Sequence, residues 1–253
     1  MSDWPACTVA VQPWLSGRGI NRKLADAYRK SGWVDRVGHG AYIRAGAAVD
    51  WTGCLQAVQV QLGLSVHAGG RTALELQGYA HFLPMGKRHV VFLFGTPKDR
   101  LPVWFVKKDW GARVHFTTTN LFRSEKKIGL TSRPTGAFAL TVSAPERAIM
   151  EVLHLTPQVH SMDAAKLLME GLTTLRPTLV QTLLKTCRSI KVKRIFLFLA
   201  DECGHAWARK LDLTRVNLGM GKRVIGKGGR FVSKFNISVP ASLRGPKTPG
   251  EAR

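Results

Sequence analysis

The sequence predicts an α+β fold. A small N-terminal module built as helix, turn, helix and hairpin spans residues 1–46, a larger mixed α/β domain follows over 47–240, and a flexible polar tail closes the chain over 241–253. Three observations predict it. A chain of 253 residues with 45% hydrophobic and 21% charged residues holds enough apolar material for about two cores. The apolar spacing switches from helical to alternating at Gly32. Beyond residue 47, short apolar runs bounded by Pro, Gly or charged residues give way to longer stretches of helical periodicity.

In chain order, Pro13 to Ser16 opens a short helix, because proline is tolerated in a first turn. Gly17-Arg18-Gly19 breaks it. Asn21 is placed as the N-cap of a helix from Arg22 to Lys30, with Ile20, Leu24, Ala27, Tyr28 and Ser31 on its inner face. Gly32 stops that helix, and residues 33–44 alternate around Gly38-His39-Gly40 as a glycine-tipped hairpin. This is the order of a winged helix-turn-helix, in which a helix enters the DNA major groove and the wing reaches the flanking backbone. Residues 1–11 are too short and irregular for the full first helix that such modules carry. Trp14, Tyr28 and Trp33 read as core.

The larger domain is expected to hold helices over 53–62, 72–79, 146–155, 163–172, 177–189 and 193–207. Strands are expected at 89–94, 103–106, 113–118, 138–142, 223–225 and 231–239.

Charge narrows the function. Lys and Arg number 38 against 16 Asp and Glu, a formal net charge of +22. Such a chain seeks a polyanion. Residues 1–46 carry +4, residues 47–185 carry +7 and residues 186–253 carry +11, so the charge lies in more than one place. No segment reaches the roughly 18 continuous apolar residues of a spanning helix. Met1 to Ala10 has neither the basic start nor the apolar core of a signal peptide. Four widely spaced cysteines argue for reduced thiols, and the expectation is a cytoplasmic protein with no membrane role.

In the N-terminal module Arg18, Asn21, Arg22, Lys23 and Arg29 are the candidates for DNA contacts, with Arg36, His39 and Arg44 in the wing. Two copies are expected on an inverted repeat, from a protein that is a monomer in solution. In the C-terminal part, Arg188, Lys191, Lys193 and Arg194 form one basic cluster, and Lys222, Arg223, Lys227, Arg230 and Lys234 another. On a continuous strand Arg230, Val232 and Lys234 would share a face opposite Phe231, Ser233 and Phe235. A solvated sheet face is the alternative to a second nucleic-acid or partner surface, and RNA is the other ligand considered for it.

Several stretches carry a resemblance to a known family. They include Trp14-Leu-Ser-Gly-Arg-Gly-Ile20, Ser31-Gly-Trp-Val34 and Gly38-His-Gly-Ala-Tyr42. The most specific is Gly69-Gly-Arg-Thr-Ala-Leu-Glu-Leu-Gln-Gly-Tyr-Ala-His81. Ser143-Ala-Pro-Glu-Arg-Ala-Ile149, Gly219-Met-Gly-Lys-Arg223, Gly228-Gly-Arg-Phe-Val232 and Asn236-Ile-Ser-Val-Pro240 follow in the same order. The chain resembles the AbiEi-type antitoxins of type IV toxin–antitoxin systems over nearly its whole length. The resemblance implies a repressor that binds inverted repeats at its own promoter. It also implies an α/β antitoxin domain that neutralises a nucleotidyltransferase-like partner toxin, often without a stable complex, in phage defence.

Enzymatic readings find little support. Asp201, Glu202, Cys203 and His205 are close in sequence, yet no second pair at metal-ligand spacing lies nearby. His154 and His160 flank Pro157 and would not share a helix. Lys222 after Gly219 and Gly221 lacks the spacing and the Ser or Thr of a phosphate loop. No cofactor and no metal are expected. The alternative retained is an RNA-binding or nucleic-acid-processing protein that uses the basic C-terminal region.

Overall fold

Pro13 in the first turn and Gly19, at φ +80°, delimit the N-terminal helix and the turn after it. The computed structural model describes residues 3–79, 89–123, 127–225, 229–240 and 243. These form two compact units. One comprises residues 3–72, 89–119 and 130–142, and the other residues 73–79, 120–123, 127–129, 143–225, 229–240 and 243. Lys227 and all of the 241–253 tail except Leu243 lie outside the described residues.

The first unit begins with the winged module. Strand β1 (Ala10–Val11) leads to α1 (Gln12–Ser16), α2 (Arg22–Lys30), β2 (Val34–Gly38) and β3 (Ala41–Arg44). The strands form an antiparallel sheet in the order β1-β3-β2, with Ala10 opposite Tyr42. Trp4, Leu15, Ile20, Ala25, Val34 and Tyr42 make its core, with Trp14 and Tyr28 packed against it. The inner face of α2 is turned relative to the expected one. Ala25 is buried, whereas Leu24 and Ala27 are exposed, because the helix meets the hairpin through Ala25 and Tyr28. Trp33 is the exception among the aromatics expected inside, being 68% exposed.

The first helix missing from residues 1–11 has a replacement later in the chain. Helix α3 (Trp51–Gln56), continued by a π turn over Ala57–Gln61, brings its C-terminal end against β1. Asp50 caps it by accepting the Thr52 N–H. The Gln61 amide then acts as a strand neighbour for β1, accepting the Val11 N–H at 2.9 Å and donating to the Val9 carbonyl at 2.7 Å. Backbone groups that would otherwise be orphaned are thereby satisfied. The approach is close enough to require glycine, since a Cβ at Gly53 would lie 2.0 Å from the Cys7 carbonyl oxygen.

The rest of this unit is a five-stranded sheet of β4 (His67–Ala68), β5 (Val90–Gly95), β6 (Arg113–Thr118), β7 (Leu130–Thr135) and β8 (Phe138–Ser143). The strand order is β6-β5-β4-β8-β7, with β5 and β6 parallel. Strand β7 shows no apolar alternation and contains Pro134, which an edge position tolerates. Helix α4 (Gly70–Leu76) follows β4. The expected strand at 103–106 is instead helix α5 (Val103–Lys107), which starts after Pro102. Trp104 and Phe105 point inward while Val103 and Val106, three apart, face solvent. A four-residue apolar run does not distinguish the two structures, and the proline decides.

The second unit packs α6 (Pro145–Leu155), α7 (Met162–Glu170), α8 (Pro177–Thr186) and α9 (Ile190–Glu202) around a core that includes Ile149, Leu153, Leu183 and Phe196. Every residue of α9 from Val192 to Ala200 is buried, as expected of a central helix. A small sheet, ordered β10-β11-β9, completes the unit from β9 (Arg223–Val224), β10 (Gly229–Val232) and β11 (Ile237–Pro240). The expected continuous strand over 231–239 is broken by a 3-10 turn at Ser233–Phe235, closed by Asn236 at φ +51°. Lys234 therefore does not continue the face of Arg230 and Val232.

Buried Glu146 is held by Arg176, through contacts of 2.9 and 3.1 Å from the guanidinium and 2.9 Å from the Arg176 backbone N–H. Burial pushes the carboxyl up, but the Arg176 bonds outweigh it and its pKa falls below the ordinary range. A carboxylate with a depressed folded pKa contributes stability above its unfolded pKa and loses it as pH falls through the folded value. Equilibrium unfolding of Glu146→Gln should thus lose stability at pH 7 and show a shallower acid limb below about pH 4. Identical acid limbs in parent and variant would refute this.

Candidate nucleic-acid interface

The module presents α2 by its N-terminal end. Asn21 is extended, and its Oδ1 accepts the Leu24 N–H at 2.9 Å. The Asn21 side-chain oxygen is thus engaged as a cap, which orders the first turn for its neighbours. Arg22 and Lys23 stand exposed in that turn. Further along the helix, Asp26 takes both remaining cations, Arg29 at 2.8 Å and Lys30 at 3.1 Å. Hydrogen bonds from Arg29 and then Lys30 hold the Asp26 carboxyl below its usual pKa. Of the basic side chains on α2, Arg22 and Lys23 are the ones with no carboxylate partner among the described residues.

Around the helix, the Arg18 guanidinium lies 3.8 Å from the centre of the Trp14 ring and remains exposed. In the wing, Arg36 donates to the Gly38 carbonyl at 3.1 Å and approaches His39 Nδ1 at 3.5 Å. Both side chains are exposed at the tip, where Gly40 adopts φ +63°. Arg44 behaves differently. It is half-buried, donates to the Trp4 carbonyl and lies over the Trp4 ring. It fastens the N-terminal segment to the hairpin and does not face outward with Arg36, which corrects its assignment to the contact surface.

The wing also has a support. A Cβ added to Gly38 would lie 2.5 Å from the Cβ of Trp104 on α5. Gly38→Ala should accordingly lower stability by roughly 1–3 kcal/mol through overpacking. Thermal melting of the variant measures it, and an unchanged midpoint would contradict the close approach.

In the second unit the two basic clusters separate into buried and exposed members. Arg194 is 1% exposed and donates to the carbonyls of Leu218, Gly219, Gly221 and Asn236 at 2.7–3.1 Å. Burial, with a smaller contribution from Arg223, lowers its pKa. Buried Lys193 donates to the Asn217 carbonyl at 2.6 Å, and half-buried Lys191 to those of His154 and Thr156. Lys193 and Arg194 therefore build the 217–221 loop and do not belong to an anion-facing surface, and Lys191 ties α9 to the end of α6. Arg230 pairs with Glu202 at 3.6 Å and Lys234 with Asp201 at 2.7 Å. Arg188, Lys222 and Arg223 remain exposed, Lys222 lying 4.9 Å from the Phe231 ring centre. Lys227 lies outside the described residues.

Two exposed groups escaped the sequence reading. Trp33 begins the wing beside Tyr28. Met220, 95% exposed, sits between Gly219 and Gly221, both at positive φ. The Gly-Met-Gly spacing could have signalled a presented side chain.

The grouped acid, thiol and imidazole near residue 203 are engaged in structure. Asp201 and Glu202 hold the cations just named, and buried His205 contacts the Met169 carbonyl and stacks on Trp207. Burial pushes the Cys203 and Cys187 thiols up to about 11. Among the described residues no cluster of three or more metal-ligating side chains occurs. Nor is any described helix long and apolar enough to cross a membrane.

Comparison with known proteins adds the family. Among curated proteins none is significantly similar. The RV2827C protein from Mycobacterium tuberculosis has a similar solved fold, with a TM-score of 0.64 at 16% identity over 93% of this chain and 87% of that one. Residues 1–85 match the family described as "Transcriptional regulator, AbiEi antitoxin N-terminal domain". Residues 88–240 match "Transcriptional regulator, AbiEi antitoxin, Type IV TA system". With a winged helix-turn-helix ahead of a mixed α/β domain and both family matches in sequence, the chain belongs to the AbiEi antitoxin family of transcriptional regulators of type IV toxin–antitoxin systems.

Proposed function

We propose that this protein represses its own operon and neutralises a nucleotidyltransferase-like partner toxin. The observation that carries the first part is the pair Arg22 and Lys23, exposed at the N-terminal end of a capped helix beside a glycine-tipped wing. That end of a recognition helix is where side chains meet base edges. Arg18 and the wing residues Arg36 and His39 are the flanking phosphate contacts, and Asn21 serves by positioning the turn. The protein acts in the cytoplasm as a monomer in solution. Two copies occupy an inverted repeat whose half-sites are centred about one helical turn apart, or a multiple of that.

Gel-shift titration over a series of salt concentrations tests this reading. Affinity should fall by about 0.9 log unit per log unit of salt for each phosphate contacted. A flat response would remove electrostatic operator binding from consideration.

For neutralisation, Arg188, Lys222 and Arg223 are the exposed members of the two basic clusters that hold no carboxylate among the described residues, and they are the ones offered to a partner or its RNA substrate. Charge reversal at Lys222 and Arg223 should weaken protection from the toxin at equal protein level. Full protection by that variant would count against this surface.

A further inference from the structure

We infer that the first unit carries a small-molecule site, a pocket between α5 and edge strand β6 that takes an anionic ligand with a flat ring, of the mononucleotide class, and whose occupancy adjusts the wing. The pocket is open and has a volume of about 570 Å³. Small-ligand sites run from roughly 300 to 1,000 Å³.

Its chemistry is divided between floor and rim. Half-buried Val114 and Phe116 give it an apolar surface, and fully buried Phe105 also borders it. Val114 and Phe116 are two apart on β6 and so present to one side of the sheet. Exposed Lys107 and Arg113 line it with Arg100, which donates to the Pro97 and Asp99 carbonyls, and Lys108, which lies 5.0 Å from the Trp110 ring centre, against one acid, Asp109. The Asp109 side chain accepts the Gly111 N–H at 3.0 Å, which directs it toward its own turn. Cations around an apolar floor that includes the half-buried Phe116 ring suit a ligand that lays a planar ring on that phenyl and extends a phosphate to guanidinium and ammonium groups. Inorganic phosphate would satisfy only the rim, and an uncharged ring only the floor.

The same helix touches the wing. Phe105 of the pocket is adjacent to Trp104, which packs against Gly38. The Trp110 indole N–H is directed at the carbonyls of Trp104 and Phe105, at 3.3 and 3.1 Å, joining pocket and wing contact in one aromatic cluster. A ligand that moves α5 moves the support of the wing. If ligand alters operator affinity, operator must alter ligand affinity by the same factor. This coupling rests on the operator reading above, whereas ligand binding itself does not.

The experiment titrates the full chain, without DNA, with AMP, ATP, GTP and CTP, following tryptophan fluorescence and heat. Saturable binding of at least one nucleotide is expected, about tenfold or more tighter than inorganic phosphate or the free nucleoside. Lys107→Glu with Arg113→Glu should weaken it at least tenfold. The charge-matched control Arg209→Glu with Lys210→Glu, on exposed residues of the second unit, should leave it unchanged. No saturable binding, or equal weakening by the control pair, overturns the site. Operator affinity is then measured with and without saturating nucleotide. A change of threefold or more is expected, and unchanged affinity in a protein that binds both overturns the coupling. Failure to bind operator with nucleotide binding intact would instead refute the repressor reading.

Discussion

Reversing Arg22 and Lys23 together, as Arg22→Glu with Lys23→Glu, should lower operator affinity by about 100-fold or more near 0.15 M salt. Two cations proposed to meet the duplex are replaced by two anions. Removal of a base or phosphate contact alone costs about 1–3 kcal/mol, and repulsion adds to that. The fold should not suffer. Asn21 still caps the helix, and carboxylates in a first turn interact favourably with the helix dipole. Loss of binding with an unchanged melting temperature is therefore the expected pair of results, and affinity within threefold of the parent would refute the assignment. Arg29→Glu is the useful contrast, because Arg29 already faces Asp26 and should matter less.

Arg194→Ala should have the largest effect on stability. Its guanidinium bonds four backbone carbonyls, of Leu218, Gly219, Gly221 and Asn236. Removing it takes the guanidinium donors from these carbonyls, of which the Asn236 one still accepts the Arg223 N–H, at about 1–3 kcal/mol for each group that water cannot reach. A total loss on the order of 3 kcal/mol is a large part of the roughly 5–15 kcal/mol that holds a domain. Denaturant unfolding, with local protection of residues 217–225 and 236–239 followed by hydrogen exchange, measures it. Lys in place of Arg should recover only part, since a single ammonium cannot span four acceptors. Stability within 0.5 kcal/mol of the parent, by the usual tolerance for surface changes, would show that the loop does not depend on Arg194.

Local grammar was legible in the sequence. Asn21 as cap, Gly32 as stop and the glycine-tipped hairpin follow from backbone preferences that operate within a few residues, and the structure realises each. Helix α6 after Pro145 was legible for the same reason. What depended on distant partners was not. Arg194 and Lys193 read as surface charge because a sequence does not show which carbonyls will surround a side chain. Arg44 read as a wing contact because Trp4, forty positions earlier, was not known to lie beside it. The role of Gln61 as a strand neighbour was invisible for the same reason. Composition also misjudged Trp33, since an aromatic residue is a buried one only where the chain provides something to cover it.

The brace between Gly38 and Trp104, together with the clasp of Gln61 on β1, bears on how operator specificity can be exchanged within the family. A reading head excised at residue 46 would arrive in a new host without the helix that closes its sheet and without the aromatic shelf beneath its wing. Swapping specificity between relatives is thus a matter of transplanting a cassette that extends through the α3 segment and α5, or of leaving the scaffold in place and rewriting only the proposed contact residues Arg22 and Lys23. The second route keeps every supporting contact, and it is the one by which new operators could be acquired one substitution at a time.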